Sequence, residues 1–324
     1  MNQNPTQDIL ADIVLLIEAG HYRQAQEKAE RLCETAQSSE MQVIACRLMA
    51  QIAKEQGHVR QGLNHLIRAL AVLDEHDDQR ARADLSIDIG LTYIALGLPG
   101  MAKWHFEEAM RLYTALGNQN GQATALNRLG VAALMLKNYP AARKRLQESL
   151  ALSRQIGDIH LTAGACVNLG EVERLSGQMD VARKYYLQAG EMFEAQGLQR
   201  GVLIVENNLG HIATASGDLE TARGHYHRAA ELGLAMEAVP HMLDTLAGLA
   251  ILMAREGALA AAAPLFAFIL NNTALLDETR DLLQGYLASA EVVYASPAPV
   301  PQVDDVSALL ERTCQQVFGT QDNR

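Results

Sequence analysis

Asn127, Asn168 and the adjacent Asn207 and Asn208 recur about one 40-residue step apart, with Arg128, Glu171, Arg174 and His211 among them. An asparagine amide carries a donor and an acceptor on one short, stiff side chain, which matches both groups of an extended peptide backbone. A ladder of such amides holds a peptide by its main chain and leaves the charged neighbours to select among its side chains. Patterns that would instead carry catalysis are missing. There is no Gly-x-x-x-x-Gly-Lys-Ser/Thr, no Gly-x-Ser-x-Gly and no His-Glu-x-x-His. The histidines are scattered, and His225 and His227, two residues apart, point to different sides of a helix. No catalytic residue, no metal site and no cofactor are expected.

Composition narrows the partners. A formal net charge of −11 argues against direct nucleic-acid binding, whose electrostatic footprint is basic. No apolar run reaches the roughly 18 residues of a membrane span, and the polar N-terminus has no signal-peptide character. Cys33, Cys46, Cys166 and Cys314 are far apart and form no Cys-x-x-Cys pair, so they read as buried thiols in a reducing compartment. The expectation is a cytoplasmic protein without membrane contact.

The elements that must position the amides show themselves by repetition. Gly90, Gly130, Gly170 and Gly210 stand 40 residues apart, and the same step reaches Ala50 and Ala250. An apolar residue precedes each: Met49, Ile89, Leu129, Leu169, Leu209 and Leu249. A turn column follows in Gly57, Gly97, Lys137, Gly177, Gly217 and Gly257. Next come a small residue (Gly62, Ala102, Ala142, Ala182, Ala222, Ala262) and, four positions on, Leu66, Phe106, Leu146, Tyr186, Tyr226 and Phe266. Apolar residues fall at helical spacing within each unit, so each reads as two helices whose apolar stripes need neighbouring units for burial. In the unit without a turn glycine, Asn138 is expected to take the left-handed conformation and Pro140 to open the next helix.

These columns resemble the tetratricopeptide repeat, whose small-Leu-Gly, Ala and Phe/Tyr signature they match over nearly the whole chain. The period of 40 departs from the common 34, and no Trp stands at the first signature position. Such long repeats are similar to those of bacterial signal-sensing arrays and motor-adaptor peptide binders. The resemblance implies an all-α fold, a right-handed α-solenoid of stacked helix-turn-helix repeats, with about seven units and a C-terminal capping helix. The array is expected over residues 1–295, with units anchored near Ile13, Ala50, Gly90, Gly130, Gly170, Gly210 and Ala250 and a half-unit at Ala290. A proline-rich spacer covers 296–302, and a capping helix and tail cover 303–324.

The resemblance also implies where a ligand would sit. First helices line the inner groove of such arrays, and in peptide-pheromone receptors and motor adaptors groove asparagines hold the ligand backbone. Carried onto this chain, the groove residues are Asn127, Arg128, Asn168, Glu171, Arg174, Asn207, Asn208 and His211. Asn168 and Asn208 fit equally well as hydrogen-bonding groups in the junction between repeats. The reading that follows is a non-enzymatic module of bacterial signalling or regulation that binds a protein or peptide partner. Two alternatives stand beside it. One is a scaffold that docks on a complex or self-associates as a homo-oligomer, through a surface around Leu265, Phe266 and Phe268. The other is the detached sensor arm of a signalling ATPase of the STAND type, or of a transcription regulator, binding a small inducer.

Overall fold

The computed structural model describes residues 5–18, 21–36, 38–74, 78–272, 275–290 and 306–319. Among them every regular element is a helix, and the chain is an all-α helical-repeat solenoid. First and second helices alternate: α1 (Pro5–Glu18) and α2 (Tyr22–Thr35), α3 (Ser39–Glu55) and α4 (Val59–Asp74), α5 (Gln79–Ala95) and α6 (Pro99–Ala115), α7 (Gln119–Met135) and α8 (Tyr139–Ile156). They continue as α9 (Ile159–Leu175) and α10 (Met179–Ala195), α11 (Gln199–Ser216) and α12 (Leu219–Ala235), and α13 (Val239–Arg255) and α14 (Leu259–Leu270). Last come α15 (Asp277–Ser289) and α16 (Val306–Phe318). The helices fall into two compact units, Met1–Asn168 and Leu169–Arg324.

The sequence columns explain these bounds. Ser38, Asp78, Asn118 and Asp158 each stand one residue before a first helix, and each side chain accepts a backbone N–H three residues on. Such caps contribute about 1 kcal/mol each. At the turns the chain enters left-handed backbone, with φ of 70° at Gly97 and 82° at Gly217, where a side chain would be strained. The fourth unit differs from expectation. Lys137 itself takes the left-handed conformation, at φ 56°, while Asn138 is an ordinary N-cap whose side chain accepts from Ala141 N–H. The cap bond holds Asn138 in place and shifts the strain back one residue.

Packing within a pair follows from glycine facing ring. A Cβ on Gly130 would lie 2.5 Å from Leu146 Cγ, and one on Gly170 2.6 Å from Tyr186 Cε1. Glycine is therefore required there by the close approach of the large side chain. Ala102, Ala142, Ala182 and Ala222 are fully buried beneath the same interface.

In the first unit, Ile13 and Ala25 enter the core with α3 and α4, so the first helix pair packs as a repeat. Gly20, its expected turn residue, lies outside the described residues. At the other end Ala290 is the C-cap of α15, so the expected last anchor closes its helix where the other anchors lie mid-helix. The spacer at 296–302 is likewise outside the described residues. Helix α16 lies against α12 and α13, burying Val306, Leu309, Leu310 and Val317. Leu265, Phe266 and Phe268 belong to that same core, at 6%, 0% and 9% exposure. The apolar surface expected of a scaffold is thus an interior: α13, α15 and α16 consume it.

Candidate binding face

The first unit presents polar side chains on α3, α5 and α7 and on the start of α9. Arg47 Nε donates to Asp88 Oδ2 at 2.6 Å, and Tyr113 Oη donates to Asp84 Oδ1 at 2.5 Å. Burial holds the Asp88 carboxyl above the ordinary carboxylate range, and Arg47 offsets only part of that. Burial, together with Asp84, pushes the Tyr113 phenol up as well. Arg47, Gln51, Lys54, Asp88 and Leu91 line an open cavity of about 430 Å³.

The amides of this unit meet each other. Asn168 Nδ2 donates to Asn127 Oδ1 at 3.1 Å across the junction between α9 and α7. Asn127 is 7% exposed, and its amide oxygen is used as a junction group between the two helices. Asn168 is only half-buried, and its Oδ1 forms no bond within the described residues. It can still accept a peptide N–H.

Arg128 stands apart from the paired groups above. Its Nε is buried without an acceptor, and its guanidinium makes no hydrogen bond or ion pair with any described residue. Burial alone lowers its pKa, with no carboxylate near enough to counter the effect. A buried donor without a partner costs about 1–3 kcal/mol. An anion seated at Arg128 would remove that cost.

In the second unit the expected selectors are committed to internal bonds. Arg174 forks onto Glu171 through Nε (2.8 Å) and Nη2 (2.6 Å), and Tyr186 Oη donates to Glu171 Oε2 at 3.0 Å. His211, 9% exposed, places Nδ1 2.9 Å from Tyr226 Oη and Nε2 3.2 Å from Asp244 Oδ1. Thr279 of α15 donates to the same Asp244 oxygen at 2.7 Å, and Thr214 Oγ1 lies 3.2 Å from Tyr226 Oη. Burial disfavours the Asp244 carboxylate, yet His211 and Thr279 together hold its pKa below the ordinary range. As a carboxylate Asp244 accepts from His211 Nε2–H, while Nδ1 bonds to Tyr226 Oη on the other side of the ring. This chain of bonds fastens α15 to α11 and α13.

Asn207 does not face a groove. At 1% exposure it donates from Nδ2 to His241 O (3.2 Å) and accepts at Oδ1 from Thr245 (2.9 Å), so both ends of the amide are spent on α13. Asn208, one residue on and rotated away from that junction, is half-buried and makes no side-chain hydrogen bond among the described residues. Glu171, Arg174, His211, Arg255 and Asp281 border an open cavity of about 380 Å³ whose walls include Leu175, Ile251 and Tyr286. The sequence reading missed a second role of the tyrosines: Tyr186 and Tyr226 fill the expected core column, and Tyr226 also lines the cavity while Tyr186 bonds to Glu171 at its edge. Among the described residues no group of three or more His, Cys, Asp or Glu side chains is placed to hold a metal ion.

With this geometry in hand, the comparisons bear directly on the columns that build it. A tetratricopeptide-repeat family model matches residues 82–155 and 121–195, the stretch that carries Gly90, Gly130 and Gly170 with their paired side chains. Residues 82–195 of the chain are tetratricopeptide repeats in a long, 40-residue form.

Several solved tetratricopeptide-type arrays share the fold. A Rap protein complexed with competence and sporulation factor is 15% identical over 98% of both chains, with a TM-score of 0.67. Aspartyl phosphate phosphatase F from Bacillus subtilis is 12% identical, covering 97% of this chain and 85% of that one, with a TM-score of 0.66. The quorum sensor NprR from B. thuringiensis, in its apo form, is 16% identical over 95% of this chain and 87% of that chain, with a TM-score of 0.65. No curated protein sequence matches this one.

Proposed function

We propose that this protein is a non-enzymatic cytoplasmic regulator that captures an extended peptide segment carrying an anionic group on the first-helix face of α5, α7 and α9. Arg128 carries the reading: a buried guanidinium donor without an acceptor, facing no carboxylate, suits a ligand carboxylate that would complete it. Asn168 supports it with a free amide oxygen one repeat further on, positioned to accept a main-chain N–H. Asn208 is the equivalent free amide of the second unit. Asn127 and Asn207 are instead bonded to neighbouring helices within their own units. A solved neighbour in complex with competence and sporulation factor is consistent with a ligand-binding array. No described helix is long and apolar enough to cross a membrane.

The test is selection from a random peptide mixture, with free or amidated C-termini, by wild type, Arg128→Met and Asn168→Ala, read by mass spectrometry. Wild type should enrich peptides bearing a carboxylate, Arg128→Met should lose that preference, and Asn168→Ala should weaken retention of all of them. Equal retention by the three proteins overturns the reading. The apolar-walled cavity of about 380 Å³ in the second unit favours a second reading, a small-molecule inducer site, since it falls in the size range of ligand pockets. Soaking with a small-molecule collection and scoring shifts in melting temperature, abolished by Ile251→Trp, would reveal it.

A further inference from the structure

Two ion pairs on first helices differ in how fully they are closed. Arg174 meets Glu171 through two bonds, at 2.8 and 2.6 Å, and that fork is complete. Arg47 of α3 meets Asp88 of α5 through Nε alone, at 2.6 Å, with the side chains 41% and 30% exposed. Its Nη groups and Asp88 Oδ1 form no bond among the described residues. Arg47, Gln51 and Lys54 fall at i, i+4 and i+7 on α3, so they share one stripe, and all three border the cavity of about 430 Å³ in the first unit. Lys54 makes no ion pair with a described residue, and exposed Glu55 also borders the space. Ile44, Leu48, Leu66 and Leu91 supply aliphatic walls. The cavity thus sets unspent cationic donors beside an unspent carboxylate oxygen over an aliphatic surface.

We propose that this cavity binds a free α-amino acid with a branched aliphatic side chain, of which leucine is the type. Its carboxylate takes the Arg47 Nη groups and Lys54, its ammonium takes Asp88 Oδ1, and its side chain lies against Ile44, Leu48, Leu66 and Leu91. A zwitterionic head is a short dipole. Set antiparallel to the Arg47–Asp88 pair, it places each of its charges against the opposite one, with charge-assisted hydrogen bonds on both sides. A lone anion would face Asp88 uncompensated, and a lone cation would face Arg47 and Lys54, so a ligand bearing both charges fits where either alone does not. The state of Asp88 agrees with this: burial, with Asp84 nearby, holds its carboxyl up, and Arg47 and Lys54 offset only part of that, so a further cation is favoured beside it. The volume is in the range of small-ligand sites. None of Arg128, Asn168 and Asn208 borders this cavity, so it is distinct from the residues proposed above to hold a peptide.

Saturation-transfer NMR titrations of the full-length protein with L-leucine, leucinamide, N-acetyl-leucine and glycine test this. Leucine should bind. Leucinamide, which lacks the carboxylate, and N-acetyl-leucine, which lacks the ammonium, should each bind about tenfold more weakly or worse. Glycine has the head without the side chain and should give no signal. Lys54→Met, at an exposed position, should shrink the advantage of leucine over leucinamide, and Asp88→Asn its advantage over N-acetyl-leucine. Arg128→Met should bind leucine as wild type does, which separates this site from the peptide face. No binding of leucine, equal binding of leucine and its two blocked forms, or loss of leucine binding in Arg128→Met overturns the proposal. The analogue series on the wild-type protein decides it even where a variant folds poorly.

Discussion

Substituting Gly210 by alanine sets two local effects of opposite sign against each other. Gly210 lies inside α11, where alanine is favoured over glycine by about 1 kcal/mol of helix propensity. Its new methyl group would lie 2.5 Å from Tyr226 Cε1 and 2.8 Å from Cδ1. The ring cannot retreat, because a Cβ placed on Gly248 would also meet it, 2.7 Å from the hydroxyl oxygen. Overpacking of a filled core costs about 1–3 kcal/mol. Any shift of the ring also breaks the bond between Tyr226 Oη and His211 Nδ1, leaving a buried polar group unpaired at a cost of about 1–3 kcal/mol. The net expectation is destabilisation by about 1–5 kcal/mol after the propensity gain. Gly224→Ala is the control: it lies inside α12 of the same unit, exposed, with nothing within 4 Å of its Cβ, and should stabilise by up to about 1 kcal/mol. Urea titration followed by circular dichroism compares the midpoints. Equal midpoints for the two variants would refute the account of a glycine dictated by the ring.

Other expectations use the same measurement. Lys137→Gly should stabilise by about 0.5–1 kcal/mol, since relief of left-handed strain exceeds the added entropy of the unfolded chain. Tyr226→Phe keeps the ring but strands His211 Nδ1 and should destabilise by about 1–3 kcal/mol. Burial lowers the pKa values of His65, His105 and His241, so the unfolded chain binds protons that the folded chain resists. Stability is therefore complete above the ordinary histidine value of about 6.5 and falls as pH drops through the lower folded values. Unfolding midpoints at several pH values between neutral and mildly acidic should show that loss, and His105→Gln should reduce it. Asp244, held low by His211 and Thr279, adds stability present above the ordinary carboxylate range and lost as pH falls through its own pKa. Asp244→Asn should remove that acid-range dependence.

Helix boundaries were the legible part of the sequence. Ser39, Gln79, Gln119, Ile159, Gln199 and Val239 each open a first helix, one per 40-residue step, because the turn and apolar columns repeat with that step, with side-chain caps before the first four. The site was less legible because repetition fixes the helix on which a residue lies, while its partner depends on neighbouring helices. Asn207 and Asn208 are adjacent, yet a rotation of one residue sends the first into the α13 junction and leaves the second free. Glu171 and Arg174 were readable as an ion pair from their three-residue spacing on one helix. The bond from His211 to Asp244 links different helices, and no local spacing announces it. Lys137 shows the reverse case: the position of the turn was readable, but the residue that bears the strain was decided by the cap at Asn138.

On the proposed function, Arg128 is kept for a ligand at a cost to the fold. Urea unfolding and peptide retention of Arg128→Met measure both sides of that claim in one variant. Methionine keeps an apolar stem and removes the unpartnered guanidinium. The account predicts a protein more stable than wild type by about 1 kcal/mol that no longer retains carboxylate-bearing peptides. A destabilised variant, or one that retains them unchanged, would show that Arg128 serves the fold and that the ligand site lies elsewhere.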